Sequence, residues 1–192
     1  MYVNLGAPLV FRPNETTGNQ ILVTRAYDIM FHRLLTLRVM CESMTIGALI
    51  TGHPGTSAFP SSDLARRTHH RTYPAGKTTF LNFMFARLVS VQRVIVLYNG
   101  SGIYIFYRGS VYRRNPQSRL EYLPLHKTGK DWRIWTLIDM DSLTGEPRLL
   151  KIERVWPIQA AYPNPVRFKN WVKYFDPAIL GMPRWSEELL KG

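Results

Sequence analysis

The tripeptide Gly76-Lys77-Thr78 stands directly before an amphipathic segment, and this junction constrains the fold more than any other part of the chain. Apolar side chains recur at helical spacing through residues 78–90, which predicts a helix with one buried face. Upstream, the apolar run at 45–51 predicts a buried strand that ends in the turn Gly52-His53-Pro54-Gly55. A strand, a glycine-rich turn and a helix opened by Gly-Lys-Thr are therefore expected in this order.

A polar segment of different composition separates the turn from the helix. It covers residues 57–75 and shows neither a helical nor a strand period, so it is predicted to be a disordered insertion. Without it, Gly52-His-Pro-Gly-Thr joins Gly76-Lys-Thr in register. Two origins remain open, a retained intron or a genuine extension of the loop, and the transcript sequence would distinguish them.

The rejoined pattern, Gly, four residues, Gly-Lys-Thr, is that of a phosphate-binding loop, or P-loop. Its glycines let backbone N–H groups surround phosphate oxygens, the lysine reaches the outer phosphates, and the hydroxyl holds Mg²⁺. We therefore expect a site for a nucleotide, namely ATP with Mg²⁺, although the insertion opens the loop. The predicted nucleotide-binding residues are Gly52, Gly55, Thr56, Gly76, Lys77, Thr78 and Thr79.

A site of this kind also needs an acidic residue at the end of a buried strand, where it holds Mg²⁺ through water. The apolar run at 132–138 predicts such a strand, and Asp139 follows it. Thr78 and Asp139 are the predicted metal ligands, and Asp139 and Asp141 are the predicted catalytic residues; the alternative for Asp139 is a turn aspartate. Met140 occupies the position at which many ATPases carry a water-activating glutamate, so deficient hydrolysis is expected.

The rest of the chain alternates between strand and helix patterns, which predicts an α/β fold with a mostly parallel sheet flanked by helices. The buried face of the first helix is predicted to carry Ile29, Leu34, Leu37 and Met40. Residues 1–20 are expected to form an N-terminal arm, and residues 21–192 a single domain. The predicted elements are helices over 21–40 and 167–175, strands over 91–98, 103–107 (extending toward Tyr112) and 155–161, and a helical turn at 185–190.

The charge of the chain favours polyanionic partners. There are 25 Lys and Arg residues against 13 Asp and Glu, a net charge of +12. Basic and aromatic residues alternate in segments 104–114 and 169–174, as in proteins that bind single-stranded nucleic acid, although core tyrosines and a basic helix face explain them equally well. No apolar stretch suits a membrane span, and Cys41 has no partner for a disulfide, so a cytoplasmic or nuclear location is expected.

Several segments together resemble the P-loop domain shared by crinkler-type effector proteins and retrotransposon-hot-spot-type proteins of microbial eukaryotes. They are the rejoined loop at 50–55 and 76–81, Trp135-Thr-Leu-Ile-Asp139, residues 158–165 with 167–173, and Met182-Pro-Arg-Trp-Ser-Glu-Glu-Leu189. The resemblance implies an ATP-binding NTPase domain, often nuclear and sometimes coupled to a nuclease-like domain that acts on DNA.

This chain departs from the family pattern at three places. The P-loop is interrupted, Ala160 and Ala161 replace small hydroxyl residues, and the chain stops soon after Trp185, so the domain is expected to be an incomplete copy. Gln159 is then either a sensor of the γ-phosphate or a structural hydrogen-bonding residue. The alternative function is a basic nucleic-acid-binding or protein-interaction module that keeps the fold without NTPase activity.

Overall fold

The computed structural model describes residues 2–4, 20–22, 25–40, 47–52, 76–91, 93–99, 102–115, 133–140, 154–161 and 168–182. The predicted insertion at 57–75 and the helical turn at 185–190 lie outside these ranges. The elements in chain order are β1 (Tyr2–Asn4), β2 (Gln20–Leu22), α1 (Arg25–Met40), β3 (Ala48–Thr51), α2 (Gly76–Ser90), β4 (Ile95–Tyr98), β5 (Ile103–Tyr107), β6 (Ser110–Arg114), β7 (Ile134–Asp139), β8 (Val155–Ala161), α3 (Lys169–Phe175) and β9 (Ala178–Gly181).

The larger of two sheets has the strand order β6-β5-β4-β7-β8-β3-β9. Strands β4, β7, β8, β3 and β9 run parallel, and β5 and β6 extend the sheet as an antiparallel hairpin at one edge. A separate antiparallel pair is formed by β1 and β2. The chain is therefore α/β, with a mostly parallel mixed sheet flanked by helices, as the sequence predicted.

Helices cover both faces of the larger sheet. α1 and α2 pack on one face, called here the α2 face, and α3 packs on the other, the α3 face. α2 leads from β3 to β4, whereas α3 leads from β8 to β9 in the opposite direction across the sheet. Because crossovers between parallel strands are right-handed, opposite directions put the two helices on opposite faces. Burial from both sides explains why β7 and β8 are apolar almost throughout.

The first helix differs from its prediction in both its start and its buried face. It begins at Arg25, since residues 20–22 form β2 instead. Ile29 and Met40 are 46% and 77% exposed, so the predicted face is wrong at these positions. Aromatic side chains bury more apolar area, and the stripe that contains them faces the core. Its residues are Tyr27, Met30, Phe31, Leu34 and Arg38.

Two further differences arise at the edges of the sheet. The strand predicted to run toward Tyr112 is broken by a turn at Arg108 and Gly109, which both have positive φ angles. Strand β9 was not predicted, because only part of its surface is buried and its pattern is short. It is placed by backbone hydrogen bonds from Ala178 N–H to the Gly47 carbonyl and from Met182 N–H to the Thr51 carbonyl.

A proline lies inside the central strand β8, where it cannot donate a ladder hydrogen bond. The register of β3 and β8 sets Gly47 beside Pro157. A Cβ atom built on Gly47 would lie 2.4 Å from the Pro157 carbonyl oxygen and 2.8 Å from its ring. Glycine at position 47 is therefore what allows the two strands to pair closely around the proline.

At the amino-terminal edge of the sheet, Arg38 of α1 is buried against two tryptophans. Its guanidinium carbon lies 4.2 Å from the ring centroid of Trp135 and 5.9 Å from that of Trp156. The two indoles contact edge-to-face at 5.0 Å, and Arg38 donates a hydrogen bond to the Arg133 carbonyl. A charged side chain thus completes an apolar stripe, because cation–π contacts and a backbone acceptor offset part of the cost of its burial.

We predict that Arg38→Met lowers the free energy of unfolding by about 1–3 kcal/mol, since it removes both the cation–π contacts and the hydrogen bond to Arg133. Urea denaturation followed by tryptophan fluorescence measures this. Arg33→Met, at an exposed position of the same helix, is the matched control and is expected to change stability by less than about 0.5 kcal/mol. Equal effects of the two substitutions would contradict the role given to Arg38.

Candidate functional site

Three of the parallel strands end side by side at the carboxyl edge of the sheet. β3 ends at Thr51, β8 at Ala161 and β7 at Asp139. The register pairs Thr51 with Ala161 and Asp139 with Ala160, so β8 separates the ends of β3 and β7. Two strand spacings amount to about 10 Å. The end of the strand that precedes the predicted loop therefore lies close to Asp139.

This edge contains a topological switch point, where the connections that follow two adjacent strands lead in opposite directions across the sheet. β3 and β8 are neighbours, yet α2 follows β3 on one face and α3 follows β8 on the other. A crevice opens outside the carboxyl ends of two such strands, and α/β proteins bind their ligands there. The topology of the sheet and the sequence motif therefore indicate the same edge as the candidate ligand site.

The first turn of α2 is buried at this edge. The helix begins at Gly76, and Lys77, Thr78 and Thr79 are 4%, 1% and 7% exposed. No acidic residue stands in this turn. The positive end of the helix dipole and the N–H groups of the turn favour an anion here.

A buried hydrogen bond joins α2 to the end of β7. The Thr78 hydroxyl donates to Oδ2 of Asp139 at 3.1 Å, and Asp139 is 2% exposed. Asn82, one turn further along α2, donates to the Thr78 carbonyl at 3.0 Å and fixes this part of the helix. A hydroxyl and a carboxylate oxygen are thus held together out of bulk water, and both are ligand types that suit Mg²⁺.

Tyr27 of α1 also contacts the start of α2. Its hydroxyl donates to the Gly76 carbonyl at 3.0 Å, and its side chain is also hydrogen-bonded to Thr79. Burial raises the pKa of Tyr27 well above its usual value, and the Thr79 hydrogen bond only partly opposes this. The hydroxyl therefore stays protonated at neutral pH and remains a donor to Gly76. Sequence reasoning missed this residue, although an aromatic at position 27 fits the helical stripe that includes Phe31 and Leu34.

The structure brings together only part of the predicted site. Gly52 is buried directly after β3, and Gly76, Lys77, Thr78, Thr79 and Asp139 lie at the same edge of the sheet. Gly55, Thr56 and Asp141 belong to segments outside the described residues. The prediction that Asp139 follows a buried strand is confirmed.

The residues next to Asp139 at the ends of β7 and β8 are apolar. Met140, directly after Asp139, is 1% exposed and packs into the core of the α3 face. Ala160 and Ala161 place methyl groups between the ends of β3 and β7. Among the described residues, the polar groups of Lys77, Thr78 and Asp139 therefore have apolar neighbours at positions 140, 160 and 161.

Gln159 points away from this site. It pairs in register with Ile138 and Leu49, which belong to the core of the α3 face, whereas Thr78 contacts Asp139 on the α2 face. Its amide is fully buried and has no hydrogen-bond partner, and the same is true of the Trp171 indole N–H. The amide of Gln159 therefore lacks the structural hydrogen bond expected as one alternative, and its side chain lies on the face opposite Thr78 and Asp139.

Within the described part of the chain, no three His, Cys, Asp or Glu side chains come together as a metal site. Mg²⁺ does not require such a cage, because it is commonly held by one or two carboxylates together with substrate phosphates and water. None of the described helices is long and apolar enough to cross a bilayer.

Comparison with known proteins adds no further identification. No protein-family model, no curated protein and no solved structure matches this chain significantly.

We predict that Tyr27→Phe lowers the free energy of unfolding by about 1 kcal/mol, because the Gly76 carbonyl and the Thr79 hydroxyl lose a buried partner. Chemical denaturation at neutral pH measures the change. Tyr174→Phe, at a side chain 68% exposed, removes the same hydroxyl from the surface and is expected to have no measurable effect. Unchanged stability in Tyr27→Phe would show that the contact with Gly76 contributes nothing.

Proposed function

We propose that this chain binds ATP with Mg²⁺ through a P-loop site at the carboxyl edge of its sheet, and that it hydrolyses ATP poorly or not at all. The observation that carries the proposal is the buried hydrogen bond between Thr78 and Asp139. In P-loop proteins the hydroxyl that follows the lysine and an aspartate at the end of a neighbouring strand hold the same Mg²⁺. The resemblance to crinkler-type and retrotransposon-hot-spot-type domains supports the same assignment.

The residues at the start of α2 and the end of β7 would have separate roles in binding the nucleotide and the metal. Lys77 neutralises the outer phosphates, and the N–H groups of the first turn of α2 donate to phosphate oxygens. Thr78 and Asp139 hold the metal, which would supply charge neutralisation on the phosphates. Tyr27 is a positioning residue, since its hydroxyl donates to the Gly76 carbonyl and fixes the start of α2.

Binding without efficient turnover follows from the groups around the metal ligands. Hydrolysis of a phosphoanhydride needs a positioned water and a residue that orients it. Met140 faces the core of the α3 face, and alanines stand at the ends of β8. Such a site would act through occupancy, with the nucleotide stabilising the junction of β3 and α2.

Lys77→Ala is expected to weaken binding of a fluorescent ATP analogue by about 10- to 100-fold, which corresponds to the loss of a charge-assisted contact. Thr78→Ala should abolish the Mg²⁺ dependence of binding, whereas Thr78→Ser keeps the hydroxyl and should retain it. Lys173→Ala, at an exposed position of α3, is the control for net charge. Equal affinities of the wild type and Lys77→Ala would refute the binding proposal, and efficient ATP hydrolysis by the wild type would refute the proposed lack of turnover.

Deleting residues 57–75 leaves only His53 to Thr56 between Gly52 and Gly76. Since loop-closure entropy grows with the logarithm of loop length, the shorter loop should raise ATP affinity by about tenfold. Isothermal titration of both forms measures this. Lower affinity in the deleted form would instead mean that 57–75 is a genuine part of the binding loop.

A further inference from the structure

The β5–β6 hairpin is strongly basic and lies at the edge of the described sheet. Residues 102–115 contain three arginines and neither Asp nor Glu. Most of β6 is exposed, with Val111 and Tyr112 at 56% and 52%. Packing in the core therefore does not explain the side chains of β6.

The turn of the hairpin carries an arginine where another residue would be more stable. Arg108 and Gly109 have φ angles of 50° and 76°, so both central residues of the turn lie in the left-handed region. Two-residue hairpins of this kind favour Asn-Gly, because a Cβ atom crowds the following carbonyl oxygen at positive φ and the short polar side chain of Asn offsets this by local hydrogen bonds. A strained exposed residue is a reasonable indicator of function. Its guanidinium stacks over Tyr107, with 5.1 Å between the guanidinium carbon and the ring centroid.

The strand register sorts the basic and aromatic side chains onto two faces. Ile105 is opposite Tyr112 and Ile103 is opposite Arg114, so Tyr112 and Arg114 share the face of the buried Ile103 and Ile105. Arg113 lies on the other face, where it stacks on Tyr104 at 5.8 Å. Tyr112 and Arg114 are two residues apart, about 6.6 Å along the strand. This distance is similar to that between successive nucleotides in an extended single strand.

We propose that this face of the hairpin binds single-stranded nucleic acid. Arg108 and Arg114 would contact phosphates on either side of Tyr112, and the exposed ring of Tyr112 would stack on an unpaired base. Alternating basic and aromatic groups bind single strands in this way, since every base offers a ring face for stacking. The net charge of +12 adds a general attraction to the same partner.

The proposed surface is independent of the nucleotide site. Three strand positions, about 14 Å, separate β6 from β7 and its Asp139, and five positions, about 24 Å, separate β6 from β3. Tyr112 and Arg114 also lie on the α3 face, whereas Thr78 and Asp139 meet on the α2 face. Binding of an oligonucleotide is therefore expected to be unchanged by ATP and by Lys77→Ala. Failure of the ATP proposal would leave this one standing, and the reverse also holds.

Fluorescence anisotropy of a labelled oligothymidylate with the full chain tests the proposal, and R108N is the most informative variant. Asn at position 108 relieves the strain of the turn, so thermal stability should rise while affinity falls about three- to tenfold through the lost phosphate contact. A purely structural role for Arg108 predicts the rise in stability with unchanged affinity. R33N removes the same charge from an exposed site on α1 and should leave affinity within about twofold.

Variants of Tyr112 and Arg114 test base stacking and the phosphate contact separately. Y112A should weaken binding by about tenfold through the loss of base stacking, whereas Y112F keeps the ring and should bind like the wild type. R114Q should reduce the slope of log affinity against log salt by about 0.7, the contribution of one phosphate contact in a single strand. The proposal is overturned if R33N costs as much as R108N, if Y112A binds like Y112F, or if polyglutamate competes as well as the oligonucleotide.

Discussion

The buried hydrogen bond between Thr78 and Asp139 links two segments that are 61 residues apart in the chain. Its geometry requires α2 to begin over the carboxyl edge of the sheet and β7 to end there with Asp139 on the α2 face. A register slip of one residue in β7 would turn the carboxylate to the other face, where Ile138 now packs in the core. The apolar burial of β7 on both sides prevents such a slip. The packing of the sheet and the chemistry of the site therefore depend on the same register.

Helix α1 connects the two edges of the sheet and supports this arrangement. Tyr27 near its start contacts Gly76 at the carboxyl edge, and Arg38 near its end contacts Arg133 and Trp135 at the amino edge. These two residues are separated by about 16 Å along the helix axis. Both make polar contacts inside an otherwise apolar interface, where an unsatisfied group would be costly. α1 thereby fixes the position of α2 relative to β7, on which the contact between Thr78 and Asp139 depends.

At the carboxyl edge, the polar groups of the proposed nucleotide site stand beside apolar side chains, which is the basis for proposing binding without efficient turnover. Thr78 and Asp139 remain in contact, while Met140 and the alanines of β8 occupy the neighbouring positions. The basic hairpin lies at the far end of the sheet, where β5 runs antiparallel to both of its neighbours. A nucleotide site and a polyanion surface on one sheet would allow one chain to bind two ligands without steric conflict.

Much of the site could be read from the sequence, because the signals are local. Gly76-Lys77-Thr78 opens a helix in the sequence and in the structure, and the continuous apolar runs at β7 and β8 indicated strands that are buried on both faces. The position of Asp139 after such a run sufficed to predict that it would lie at the carboxyl edge. Parallel strands share that edge, so the fold class and the place of the candidate site followed together.

The tertiary structure decided which side chains meet. The roles of Tyr27 and Arg38 depend on partners 49 and 95 residues away, which no local period encodes. β9 and the turn at Arg108 escaped prediction because edge strands are only partly buried and carry weak patterns. Sequence alone thus determined the buried strands β3, β4, β5, β7 and β8, the helix opened by Gly-Lys-Thr and the edge where the acidic residue stands. The order of strands in the sheet, set by long-range packing of apolar faces, decided that Thr78 reaches Asp139 while Gln159 faces the opposite side.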